Sequence, residues 1–184
     1  PATDRKISGD DAILYREHGF GTAGAEHVRG FRFLRQLRAG SYMLQDFDFK
    51  QPSLNLGSTS EQAELEREPS LRMYDYPGEY VDPEVGRTRA KVRLEEQRAI
   101  RQIGSGEGGC SRFEAGYVFA LEEHPFDDLN GRYLLTRVQH HGRQPQAMEE
   151  DAGRATGPTY ENSFDCIPAR IPFRPRRWTP RPRV

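Results

Sequence analysis

The chain has 184 residues, a mass of 21.1 kDa and a formal net charge of -1. That is enough for one ordinary domain or two small ones, and it provides no global field to gather nucleic acid or anionic lipid. Charged residues make up 30% and hydrophobic residues 35%, with a mean hydropathy of -0.86, so much of the surface faces solvent or a polar interface. No apolar run approaches the roughly 18 residues of a membrane helix and no signal-peptide pattern opens the chain, so a soluble protein made in the cytoplasm is expected. Lysine is rare (Lys6, Lys50, Lys91) and arginine abundant, which suits planar pairing with carboxylates. The two cysteines, Cys110 and Cys166, fit neither a CxxC redox pair nor a zinc framework and are read as buried thiols. Pro1 and the patternless proline-rich end look like cuts through a longer protein.

In chain order, the apolar bursts 12–20 and 31–37 predict two short strands separated by a glycine-rich loop over 19–30. Residues 42–49 predict an aromatic strand closed by Pro52, and 51–67 a polar, water-exposed loop. Tyr74-Asp75-Tyr76-Pro77-Gly78 predicts a turn in which proline presets one dihedral and Gly78 takes a positive φ. Good helix formers from Pro83 to Ile100 predict a helix with Val85, Val92, Ala99 and Ile103 on one face, against a weaker period-two signal from Ala90, Val92 and Leu94. Segments 117–121 and 132–140 predict an antiparallel pair joined through Asn130-Gly131. Leu134, Thr136 and Val138 would share one face, with Leu135, Arg137 and Gln139 on the other. Residues 145–158 read as loop, and 160–168 as a last strand before the proline tail. The sum is a mainly β (α+β), barrel-like antiparallel domain with one helix near residues 84–100.

Motifs for chemistry are weak. Gly104 to Gly109 formally satisfies GxGxxG, but a helix precedes it where a dinucleotide fingerprint needs a strand. It is read as a β-turn or bulge. His18, His27, His124, His140 and His141 include one adjacent pair, whose members face opposite ways on a strand and cannot share a metal without distortion. Asp46, Asp48, Asp75, Glu95, Glu96, Asp127 and Asp128 are read mostly as solvated surface, with Asp46 and Asp48 capping or pairing locally. Neither a GxSxG elbow nor a Walker loop occurs. The tail residues Arg170, Arg174, Arg176, Arg177, Arg181 and Arg183, with Trp178, suit phosphate binding or a stiff strap between domains; its prolines favour the strap.

Five ordered blocks resemble the valine-glycine repeat protein G (VgrG) family. Asp46-Phe47-Asp48-Phe49-Lys50-Gln51-Pro52 is similar to its D-[YF]-D-F-x-x-P segment, and Tyr74-Asp75-Tyr76-Pro77-Gly78-Glu79-Tyr80 to its Y-D-Y-P-G-x-Y signature. Residues 90–95 look like its A-R-x-R-L-E helix. His124-Pro125 and Asn130 to Tyr133 resemble its hairpin, and Asn162, Phe164 and Pro168 stand in the last block. The resemblance divides the chain into the end of a preceding hub segment (1–37), a β domain like the contractile-phage baseplate hub (38–170), and a Pro/Arg-rich strap (171–184) leading towards an oligonucleotide-fold domain and spike.

It implies a structural, non-enzymatic tip of a type VI secretion system, a homotrimer that joins the Hcp tube to a membrane-puncturing spike. Edges of an incomplete barrel would then pair across subunits. It implies no catalytic residue, cofactor or metal, no nucleic-acid partner, possible effector or adaptor partners, membrane contact only through the spike, and release from the cell by the secretion machine. A baseplate hub of a contractile-tailed phage is the nearest alternative. A cell-envelope hydrolase, marked by a deep pocket with two convergent carboxylates, is the rival from another class.

Overall fold

Nine strands and one α-helix form among residues 5–17, 26–143 and 160–179, the residues that the computed structural model describes. In chain order they are β1 (Ala12–Tyr15), β2 (His27–Arg35), β3 (Ser41–Leu44), β4 (Ser58–Glu61), β5 (Arg72–Asp75), α1 (Pro83–Ala99), β6 (Gln102–Gly108), β7 (Val118–Glu122), β8 (Gly131–Gly142) and β9 (Tyr160–Pro168). Single 3-10 turns stand at Glu68–Ser70 and Asp127–Leu129. The expectations for His18, for residues 19–25 of the loop over 19–30, for the loop 145–158, and for Arg181 and Arg183 lie outside the described residues; residues 27–30 of the expected glycine-rich loop belong instead to β2. The chain divides into two compact units, each assembled from two stretches of sequence.

The first unit takes in Pro1–Leu34 and Gln102–Ile171. Its strands close into a barrel in the order β1-β2-β6-β9-β8-β7. β7, β8, β9 and β6 pair antiparallel, while β1 lies parallel to both β2 and β7. The mainly β barrel expected from the sequence is present, but it closes within the chain, so the edges of an incomplete barrel do not exist here. Its core is aromatic: Phe113 meets Phe119 at 4.8 Å and Phe164 at 5.0 Å, and Phe31 meets Tyr133 edge-on at 5.2 Å.

This packing explains the glycine run. Residues 104–108 form neither a turn nor a bulge but strand β6, and Gly104, Gly106 and Gly108 are buried. A Cβ on Gly104 would stand 2.6 Å from Phe31 Cζ and 2.8 Å from Cys166 Sγ; one on Gly106 would stand 2.5 Å from Phe164 Cζ. Glycine is there to admit aromatic rings, as strand glycines do at close approaches. In β8 a bulge between Leu135 and Arg137 overturns simple alternation. Tyr133, Leu135 and Val138 join the barrel core, whereas Leu134 packs with Val118 and Ile167 in a separate cluster.

The second unit takes in Arg35–Arg101 and Pro172–Val184. It is a three-stranded sheet, β4-β3-β5, with α1 contacting β3 and β4. The predicted strand 42–49 ends at Leu44, because the carboxylates that follow bind local backbone and turn the chain. The expected loop 51–67 holds β4 and the fully buried Leu56. The helix starts where expected: Pro83 opens its first turn and the Asp82 side chain accepts from Glu84 N at 2.8 Å. The heptad face is corrected. Val85 and Val92 are exposed, and Gly86, Ala90 and Leu94, spaced by four, form the buried stripe with Tyr42, Leu44, Leu56 and Tyr80.

Candidate functional site

Asp46, Asp48, Tyr74, Tyr76, Pro77 and Gly78 lie in the second unit, where backbone bonds tie two of the motif segments together. Gln45 N donates to Asp75 O at 3.2 Å and Gly78 N to Gln45 O at 3.0 Å. The Tyr76–Pro77 peptide is cis, and the positive φ falls on Glu79, at 59°, not on Gly78. Gly78 is required for another reason. A Cβ there would stand 2.4 Å from Tyr80 Cε1, and one on Gly86 would stand 2.3 Å from Tyr80 Cε2.

Tyr80 is therefore clamped between two glycines. Its hydroxyl donates toward the carbonyls of Leu44, at 3.1 Å, and Leu56, while its N–H donates to Asp46 Oδ2 at 3.1 Å. Asp46 Oδ1 also accepts from Phe47 N at 2.6 Å, and Asp48 Oδ1 from Lys50 N at 2.8 Å. Both carboxylates brace the loop that carries exposed Phe47 and Phe49. Arg89 donates to the carbonyls of Gly78 and Glu79 and pins the turn to α1. Tyr74 and Tyr76 point into solvent.

Sequence reasoning missed the strongest charge cluster. Glu68 is fully buried; its Oε2 accepts from the N–H groups of Glu64, at 2.7 Å, and Leu65, at 3.1 Å. Arg98 Nη1 lies 3.2 Å from that oxygen and Arg101 Nε 2.8 Å from Oε1. Glu64 bridges the same two guanidiniums. Burial alone would raise the Glu68 carboxyl pKa, but the two N–H donors and Arg98 outweigh it and hold the group below the usual glutamate range. Gly40 admits this arrangement, since a Cβ there would stand 2.4 Å from Glu68 O. No short-range spacing signals the cluster: its carboxylates and guanidiniums are 30 or more positions apart.

The proline-rich segment lies along the acidic side of α1. Arg174 Nε pairs with Glu95 at 2.7 Å, and Arg177 binds Glu96 through its N–H at 3.1 Å and its Nε at 3.0 Å. Residues 176–179 form one wall of a cleft of about 790 Å³ whose other walls include Asp75, Pro77, Gly78, Arg93 and Glu96. Three carboxylate residues, Asp75, Glu79 and Glu96, line it; Glu96 is paired with Arg177 and with Arg93 at 3.4 Å, and Asp75 takes a hydrogen bond from the Tyr42 phenol. Burial, then Asp75, raises the pKa of that phenol.

His124, Pro125, Asn130, Tyr133, Asn162, Phe164 and Pro168 lie in the first unit as framework. The buried His124 accepts from Phe126 N through Nδ1 at 3.1 Å, and its backbone is clasped by the Asn130 amide at 2.8 and 3.1 Å. Its ring packs 4.4 Å from Tyr15. Pro125 is exposed. The Tyr133 hydroxyl donates to Leu129 O at 2.9 Å, and Asn162 Nδ2 to Cys110 O at 2.6 Å. Phe164 is core, and Pro168 pairs with Tyr133 in the ladder. Cys110 and Cys166 are free and buried; burial pushes the Cys110 thiol up to about 11 and the Cys166 thiol further. Among the described residues no group of three His, Cys, Asp or Glu could hold a metal ion, and no helix is long and apolar enough to cross a membrane.

The described residues thus make a closed barrel and a separate small sheet-and-helix unit, and several of the motif residues, Asp46, Asp48, Gly78 and Asn130 among them, hold turns. The chain belongs to the phage tail baseplate hub (GPD) family, whose model matches residues 2–146. It is 35% identical to the type VI secretion system spike protein VgrG4b of Pseudomonas aeruginosa, over 97% of this chain and 24% of that protein. It is 31% identical to the spike protein VgrG1a of the same organism, over 98% and 28%. It is also 29% identical to the actin cross-linking toxin VgrG1 of Vibrio cholerae, over 100% and 17%.

The VgrG resemblance read from the motifs thus holds, and the chain spans little more than a quarter of these relatives at most. The fold is shared with the 43 kDa tail protein of prophage MuSo2 from Shewanella oneidensis, with a TM-score of 0.59 at 9% identity over 91% of this chain and 45% of that one. A tail protein of Neisseria meningitidis follows, with a TM-score of 0.54 at 9% identity over 86% and 44%.

Proposed function

We propose that this chain is part of the hub of a type VI secretion spike, a trimer that seats on the Hcp tube and carries the puncturing spike. The observation that carries the reading is the sequence match. Relatives at 31–35% identity are named spike proteins, whereas the tail proteins of similar fold share 9%. Geometry supports an assembly role. In the second unit's sheet β4 and β5 are edge strands, and Met43 and Tyr74, neighbours in the β3–β5 register, are both exposed with Phe47 and Phe49 nearby in sequence. Such edges and apolar side chains suit pairing with other subunits.

On this reading the chain does mechanical work and no chemistry, effectors or adaptors are further candidate partners, and the protein leaves the cell with the spike. The cross-linking activity named for the Vibrio relative then belongs to the remaining five-sixths or so of that protein, since this chain covers 17% of it. Co-sedimentation of the full-length protein with assembled Hcp tubes tests the reading. Binding at tube ends is expected, and full-length trimers that ignore Hcp but cap a phage tail tube would move the assignment to a phage baseplate, the reading favoured by the family model and by the tail-protein fold.

A further inference from the structure

The segment 172–179 lies on α1 without joining a sheet. Its anchors are two arginines three positions apart, Arg174 and Arg177, meeting two consecutive glutamates, Glu95 and Glu96. Both arginines reach carboxylates of α1, so both guanidiniums fall on the same side of the segment. With the segment seated, the Glu95 and Glu96 side chains are 11% and 7% exposed, and Arg93 Nη1 also lies 3.4 Å from Glu96. Trp178 stays 80% exposed, with the Arg176 guanidinium 5.0 Å from its ring. The contacts are thus almost wholly side chain to side chain, with a single backbone bond, Arg177 N to Glu96.

We propose that the groove on α1 is a binding site for an extended arginine–proline segment, filled in this chain by its own residues 172–179 and able to accept the same segment from a second copy. The argument rests on charge complementarity within the second unit, seen in the two ion pairs, so it stands whether or not the spike reading holds. The segment carries its specificity in Arg174 and Arg177, and its prolines lower the entropy lost on docking. In cis it acts at the high effective concentration of a tethered ligand and excludes a competitor.

The test uses the intact chain and a fluorescein-labelled peptide, Pro-Phe-Arg-Pro-Arg-Arg-Trp-Thr, followed by anisotropy. The variant R174A/R177A vacates the groove, so it is expected to bind the peptide at least about tenfold more tightly than the wild type does. Adding E95Q/E96Q should abolish that binding, and a peptide with lysine in place of both anchoring arginines should bind weakly. Raising the salt should weaken the complex.

A variant that melts like the wild type yet binds no peptide overturns the proposal, as does equal binding after E95Q/E96Q. Trypsin offers a second readout that needs no vacated groove. E95Q/E96Q should speed cleavage after Arg176 and Arg177 several-fold in the otherwise native chain, and an unchanged rate would show that the glutamates do not hold the segment.

Discussion

Tyr80 carries more of the second unit than any of the exposed tyrosines before it, because its ring fills the gap left by two glycines and its hydroxyl ties two carbonyls from separate segments. Gly78→Val is expected to destabilise the chain by about 1–3 kcal/mol through that ring contact, read as a lowered urea midpoint at unchanged slope; a midpoint like the wild type's would remove Tyr80 from its central place. Glu68 gives a second test. Removing one partner of a buried, hydrogen-bonded ion cluster costs about 3–5 kcal/mol, so Glu68→Gln should melt well below the wild type at neutral pH. The folded pKa of Glu68 lies below its unfolded value, so its contribution is complete above the ordinary glutamate range and is lost as pH falls through the folded pKa. The gap between wild type and Glu68→Gln should therefore narrow below about pH 4; a gap independent of pH would contradict the ionised cluster.

At the scale of elements, β7, β8 and β9 were legible in the sequence because alternation and the Asn130-Gly131 turn are local signals. The helix was legible too, from Pro83 and its helix formers, but its buried face was not. Valine spacing pointed outward because the inward stripe is made of small residues, Gly86 and Ala90, chosen to fit Tyr80. β6 escaped for the same reason: glycine has low strand propensity, and only the rings of Phe31 and Phe164, brought in by distant strands, reveal why it is there. Gly106→Val is accordingly expected to unfold the barrel or lower its melting temperature by several degrees; calorimetry showing an unchanged transition would sink this account. The exposed motif residues were visible from the family pattern, while the Glu68 cluster, joined over long sequence separations, had no local signature.

For the whole molecule, the barrel closes inside one chain, so its strand ladder is complete without a partner strand. The open edges of β4 and β5 and the exposed Phe47, Phe49 and Tyr74 concentrate unpaired surface in the second unit. Family membership sets the class, and the proposed hub reading adds a three-chain assembly to it. The most direct measurement is the molar mass in solution, by light scattering, of the full-length protein at micromolar concentration. The hub reading predicts a mass three times that of the chain, whereas a full-length protein that remains monomeric would contradict it.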